Sequence, residues 1–189
     1  MIKVGRGIVL ACALITVSAC TGDERQVDTT PIPAAYGPPF ICGHVPKIAV
    51  ERMTGVTDPL VTGSVELARE DKLNPAVGAC SAYQRTGERW TVLRIFQDVG
   101  GTRSQIENQL RDGVSKQLPE IVPGSFGYYT TDPNEKTRVG AMLVKGKVRL
   151  SIELVKGVKG RDNAADVVAL MKLIAPKLIA TTLNADKNG

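Results

Sequence analysis

Residues 138–155, RVGAMLVKGKVRLSIELV, contain the clearest pattern in the chain and decide its fold. In the second half, apolar side chains at positions 148, 150, 152 and 154 alternate with polar ones at 149, 151 and 153. Alternation with a period of two is typical of a strand that buries one face. Gly146 separates this run from a second apolar run and indicates a turn. The stretch therefore predicts a hairpin of two antiparallel strands over residues 138–145 and 147–155.

Further strands are predicted on the N-terminal side of this hairpin. The segments 79–85 and 90–96 alternate well and are joined by Thr-Gly-Glu, which suits a hairpin connection. Weaker patterns predict strands over residues 64–69 and 126–130, and residues 56–63 are expected to form a turn. The total is about five to six strands.

Three helices are predicted from the spacing of apolar residues. The first ends at Gly55, and the third begins near Asn163. Pro176 is expected to kink or divide the third helix, because proline removes a backbone donor. Thr102 and Gln105 form a capping-box pattern that starts the middle helix. The buried stripe of this middle helix is expected to comprise Ile106, Leu110, Val114 and Leu118.

The order of these elements predicts an α+β fold. Runs of strands separated by single helices favour an antiparallel sheet with the three helices packed on it. Each half of the chain can also be interpreted as a helix followed by strands, which suggests a pseudo-repeat. We expect one domain over residues 41–183 and a flexible tail over residues 184–189.

The N-terminus has the pattern of an export leader. A basic start precedes a short apolar run at residues 8–17, which is well below the ~20 residues needed to span a bilayer. The motif VSAC at residues 17–20 looks like the lipobox of bacterial lipoproteins, in which the cysteine receives diacylglycerol and the chain is cut just before it. We therefore expect a signal peptide over residues 1–19 and a lipid anchor at Cys20, on the outer face of the cytoplasmic membrane. An ordinary leader with a chance cysteine is the alternative.

Residues 20–40 are polar and then rich in Pro and Thr. They show no apolar periodicity, so this composition predicts an extended, disordered tether between the lipid and the domain. At roughly 3 Å per residue, such a tether would hold the domain several nanometres from the membrane.

Two cysteines remain in the mature domain, Cys42 and Cys80. An even pair in an exported chain favours a disulfide, and two thiols allow one connectivity. The spacing is not the CxxC of a redox pair, and a metal site needs three or four ligands. We expect a Cys42–Cys80 disulfide that closes a loop of about 39 residues.

Charge and motif content argue against several functions. The formal charge is +5, of which +2 leaves with the leader, and this is too weak for a nucleic-acid-binding face. The chain has one histidine, His44, and neither a phosphate-binding loop nor a G-x-S-x-G motif, so we predict no catalytic residue, no metal site and no cofactor. A basic rim that could meet a membrane or an anionic wall polymer is a further hypothesis, against a simply solvated edge. Its residues are Lys145, Lys147, Lys156, Lys159 and Arg161.

Taken in order, these features resemble the actinobacterial lipoproteins that carry domain of unknown function 3558. The resemblance rests on the lipobox, the Pro- and Thr-rich tether, the tripeptide FIC ending at Cys42 before the first helix, and the tripeptide GAC ending at Cys80 at the start of a strand. It covers about residues 41–183, with Ile41 in place of the usual proline. The resemblance implies an exported lipoprotein without an established activity, and therefore no functional residue beyond these two cysteines and Cys20.

We expect a binding or interaction module at the cell envelope that is not an enzyme. Its partners would be the membrane, through the lipid on Cys20, and an unknown envelope protein. One alternative is a carrier or sensor of a small apolar ligand or lipid, in a cavity lined by residues such as Trp90, Phe96 and Leu110. The other is a cell-wall enzyme, which needs titratable groups clustered in a cleft.

Overall fold

The hairpin at residues 138–155 supplies the central strand of an antiparallel sheet. A computed structural model of the protein describes residues 27–65 and 77–179. The predictions for the leader, for Cys20, for the tail at 184–189 and for most of the strand over residues 64–69 lie outside the described residues. The elements in chain order are β1 (Phe40–Ile41), β2 (Val45–Pro46), α1 (Lys47–Thr54), β3 (Leu60–Ser64), β4 (Gly78–Tyr83), β5 (Thr91–Val99), α2 (Arg103–Arg111), β6 (Lys116–Gln117), β7 (Phe126–Thr131), β8 (Val139–Lys145), β9 (Val148–Leu154) and α3 (Asn163–Ile179).

Seven of the described strands form one sheet in the order β3-β4-β5-β9-β8-β7-β6, and β1 pairs with β2 in a small second sheet. Every strand pair is antiparallel, so the predicted α+β class with three helices is confirmed. The strand count is higher than predicted because short strands lie at both edges of the large sheet. β3 occupies a segment predicted as a turn, and β6 is two residues long. β6 is too short to show an alternating pattern, and burial does not alternate along the five residues of β3.

The inner face of the sheet carries the hydrophobic core. Alternate residues of β9 are buried there, as their spacing predicts, and they pack with α3, while α1 packs with β5 and α3. Ten of the seventeen residues of α3 are buried, and the helix runs through Pro176 without ending. The disulfide is confirmed: Cys42 and Cys80 are both buried, and their Cα atoms lie 5.7 Å apart.

Helix α2 packs on the outer face of the sheet, above β7. Ile106 is fully buried there without belonging to the main core, and the Arg103 guanidinium lies 4.5 Å from the ring centre of Phe126. The predicted capping box is confirmed, since Thr102 and Gln105 exchange backbone-to-side-chain hydrogen bonds. The halves of the chain are therefore not equivalent, because α1 and α2 lie on opposite faces.

The predicted stripe of α2 is wrong at its C-terminal end. The helix ends at Arg111, Val114 is 60% exposed, and Leu118 is buried beyond the helix, after β6. Gly113 has a φ of +72°, a left-handed conformation that commonly terminates helices. In α1, Ala49, Val50 and Met53 are buried, whereas Ile48 is exposed and Val45 lies in β2.

The described part of the predicted tether is packed on the domain. We call residues 27–36 the N-terminal strap. Ile32 is only 7% exposed and belongs to the core, and Arg161 donates hydrogen bonds to the carbonyl oxygens of Asp28 and Thr30. The prediction of a free tether as far as residue 40 is thus wrong over the strap. The Pro- and Thr-rich composition of the segment does not reveal that Ile32 is buried in the core. It also does not reveal that backbone carbonyls of the strap accept hydrogen bonds from a buried arginine.

The arginine that holds the strap is itself buried. Its guanidinium forms two hydrogen bonds with the carboxylate of Asp166, at 2.8 and 2.7 Å, and the two side chains are 3% and 5% exposed. The hydrogen bonds that the guanidinium donates to this carboxylate raise the pKa of Arg161. Asp166 lies in the first turn of α3, so the pair links the strap to that helix.

Candidate functional site

A groove of about 460 Å³ runs between one edge of the large sheet and the first turns of α3. We call it the edge groove. Its principal lining residues are Lys116, Tyr129 and Thr131 from the sheet and Ala164, Ala165 and Val168 from the helix. Its size is within the range of small-molecule and peptide sites.

Short elements and small side chains create this groove. Because β6 is only two residues long, the sheet edge beyond Tyr129 has no neighbouring described strand. Ala164 and Ala165 carry a single carbon each, which leaves space between the helix and that edge. Asp162 fixes the start of the helix by accepting a hydrogen bond from the Ala165 amide at 2.9 Å. Val114, exposed where α2 has ended, extends the groove outward.

The chemistry of the edge groove is mixed apolar and hydrogen-bonding. Tyr129, Ala164 and Val168 pack against the hydrophobic core and form an apolar floor. Lys116 supplies a cation at the sheet side, while the carboxylate of Asp162 is engaged at the helix start. Among residues 27–65 and 77–179, three or more His, Cys, Asp or Glu side chains nowhere come together as a group that could hold a metal ion.

His44, Ser125 and Asp132 do not line this groove. His44 lies in the turn between Cys42 and β2. Ser125 is buried, and its hydroxyl accepts a hydrogen bond from the amide of Val122 at 3.1 Å, which closes a turn. Asp132 accepts hydrogen bonds from the amides of Asn134 and Glu135, so residues 132–135 form a turn.

The five residues of the predicted basic rim do not form one surface. Lys145 and Lys147 flank the hairpin turn at one end of β9, whereas Lys156 and Lys159 follow its other end. A strand of seven residues is about 23 Å long and separates the two pairs. Arg161 is buried with Asp166 and the strap. The five residues are close in sequence, but the extended conformation of β9 separates them in space.

The aromatic residues proposed for an apolar cavity are on the surface. Trp90 is 59% exposed and Phe96 is 40% exposed, so neither lines an enclosed cavity. Phe96 lies on the outer face of the sheet, and Leu110 belongs to α2. This observation does not favour the carrier alternative, which requires an enclosed apolar pocket.

The open half of the outer sheet face is lined by charged side chains that pair with each other. Glu153 accepts hydrogen bonds from Arg94 at 3.1 Å and from Arg138, and Asp98 receives two from Arg149. Burial acts to raise the pKa of Glu153, but the two arginines outweigh it, and the pKa is lowered. The Glu153 carboxylate therefore stays ionised at neutral pH.

Comparisons with protein-family models, with curated proteins and with solved structures return no match to this chain. None of the helices in the described part of the chain is both long enough and apolar enough to cross a bilayer. The lining of the edge groove carries no sequence signal, because its residues come from β6, β7, α3 and the segments beside them, and belong to common types. Its recognition depends on the tertiary structure.

Proposed function

We propose that the protein is an exported lipoprotein, anchored through Cys20, whose domain serves as a non-catalytic binding module at the cell envelope. The edge groove is the binding site in this proposal, and an envelope component is the partner. The proposal includes membership of the lipoprotein group that the chain resembles in its order of elements.

The observation that carries the binding role is the groove itself. It is concave, reaches the surface, and combines an apolar floor with one cation and backbone groups at a sheet edge. Such a combination binds a ligand through shape and hydrogen bonds. The disulfide between Cys42 and Cys80 supports export, because such bonds persist in oxidising compartments.

Membrane anchoring is tested by replacing Cys20 with alanine. The wild-type chain should partition into the detergent phase and the membrane fraction, and the Cys20→Ala chain should be recovered in the soluble exported fraction. Because Cys20 is the only candidate lipid acceptor at the motif, release should be nearly complete. A variant that stays membrane-bound to the wild-type extent would refute the anchor.

The binding role is tested by placing a photo-crosslinking amino acid at position 165 of the full-length lipoprotein in its own envelope. Ala165 is exposed and lines the groove, so a bound partner should give a discrete cross-linked species. The matched control is the same amino acid at position 88, which is also exposed and lies in the β4–β5 connection, away from the groove. Equal cross-linking from both positions, or none from position 165, would contradict binding in the groove.

A further inference from the structure

The sheet edge in the groove carries backbone hydrogen-bonding groups without a strand partner. Along an antiparallel strand, the N–H and C=O groups of successive residues point alternately to the two neighbouring strands. The amide of Asp132 donates to the Arg138 carbonyl on the side of β8, and the Gly127 carbonyl accepts from the Leu118 amide on the side of β6. The N–H and C=O groups of Thr131 therefore point away from β8, like those of Gly127 and Tyr129.

The strand that would satisfy Thr131 is too short. β6 pairs with β7 at Lys116–Tyr129 and Gln117–Tyr128, and the next hydrogen-bonded position along this edge would be at Thr131. Neither backbone group of Thr131 is hydrogen-bonded to any residue of the described chain on that side. Thr131 is partly exposed and lines the edge groove, so these groups are accessible.

The opposite wall of the groove is a helix with small side chains. Ala164, Ala165 and Val168 face the sheet edge across the gap. A sheet edge beside a helix is the arrangement in which an extended peptide adds as a further strand, with backbone hydrogen bonds on one side and side-chain contacts on the other. A second extended chain supplies the C=O acceptor and the N–H donor that pair with the outward N–H and C=O groups of Thr131.

The geometry points to a short extended peptide as the occupant of the edge groove, added as a strand beside Thr131 in line with β6. This inference rests on the proposed binding function and names its class of partner. Alternate side chains of the peptide would face the floor formed by Tyr129, Ala164 and Val168, where small apolar residues fit. Lys116 has no carboxylate partner among the described residues, so an acidic residue near the β6 end complements it.

The probe is a phage-displayed library of random seven-residue peptides, selected on the mature chain carrying Cys20→Ala. Selected peptides are then synthesised and their affinity is measured by titration calorimetry. The expected sequences combine small apolar residues at alternate positions with an acidic residue. Failure to enrich any peptide that binds the folded chain would overturn the inference.

Two variants locate the binding site. Thr131→Pro removes the outward donor at an edge position, where proline is tolerated, and should weaken binding about fivefold, which corresponds to about 1 kcal/mol for one hydrogen bond. Thr131→Val is the matched comparison, because it changes the same side chain but keeps the backbone donor. It should bind about fivefold more tightly than Thr131→Pro, and equal affinity of the two variants would overturn strand addition. Ala165→Phe fills the groove from the helix side and should weaken binding at least tenfold.

A second measurement covers the case in which Thr131→Pro does not fold. Hydrogen exchange at the Thr131 amide of the unsubstituted chain should slow by at least tenfold when a selected peptide is present. Peptide binding with an unchanged Thr131 amide and no effect of Ala165→Phe would overturn strand addition, while the binding role itself would stand. Loss of a self-associated species in Ala165→Phe, seen by sedimentation without peptide, would identify a second copy as the occupant and would equally overturn it.

Discussion

Replacing Arg161 tests how the strap is held. In Arg161→Met, a side chain of similar length but without charge takes the place of the guanidinium. The carboxylate of Asp166, 5% exposed, then loses its partner, and the carbonyl oxygens of Asp28 and Thr30 lose their donor. The variant therefore perturbs α3 and the strap together.

The expected cost is large because one partner of a buried pair is left alone. Removing one member of such a pair typically costs about 3–5 kcal/mol, against a total domain stability of about 5–15 kcal/mol. In the double variant Arg161→Met with Asp166→Leu, no uncompensated charge remains, so most of that loss should be recovered. The two strap hydrogen bonds stay absent in both, which leaves a deficit of about 1–3 kcal/mol.

Urea unfolding gives the stabilities of the wild type, of Arg161→Met, of Asp166→Leu and of the double variant. Hydrogen exchange over residues 28–36 reports whether the strap stays attached. Exchange there should be fast in every variant that lacks the arginine, including the stable double variant. A loss of less than 1 kcal/mol in Arg161→Met would refute the reasoning about the pair. Slow strap exchange in the double variant would refute the attachment.

Two further predictions concern the disulfide and the outer sheet face. Cys80→Ala should lower the free energy of unfolding by about 4 kcal/mol, from the chain-entropy cost of a cross-link spanning 38 positions; a fall below 1 kcal/mol under oxidising conditions would contradict this. Glu153→Gln should lower stability at pH 7 by at most about 1 kcal/mol, because the ion pairs with Arg94 and Arg138 are partly exposed. Since the pKa of Glu153 is lowered from 4.5 by folding, its contribution is present above about pH 4.5 and is lost as the pH falls through the lower folded value. Urea unfolding from pH 7 to pH 3 should show the gap between wild type and variant closing, and a gap independent of pH would count against the pairing.

The parts of the fold that the sequence predicts are those with a local physical cause. The β8–β9 hairpin follows from alternation around Gly146, which has a φ of +58°, and the start of α2 follows from Thr102 and Gln105. Both signals lie within a few residues of the structure they specify. The Cys42–Cys80 disulfide was also predicted, because only two thiols remained in the domain.

The parts that the sequence could not predict depend on contacts between distant segments. β3 is a strand because β4 pairs with it, and the strap is ordered because Arg161 reaches it across more than a hundred residues of sequence. The edge groove has the same origin. The edge groove exists because β6 has only two residues and because Ala164 and Ala165 of α3 lie opposite the sheet edge that β6 leaves unpaired. A short stretch of sequence reveals neither feature.

The strap also changes how the domain would stand on a bilayer. If residues 20–40 were all free, the domain could move several nanometres away from the membrane. With the strap attached at Asp28, the eight residues 20–27 could span at most about 29 Å. The segment between a lipid on Cys20 and the strap would thus form a short stem that limits the distance between the domain and the membrane. The end of the domain where α3 begins would stay close to the lipid surface. A force applied to that stem would be transmitted to the core through Arg161 and the first turn of α3.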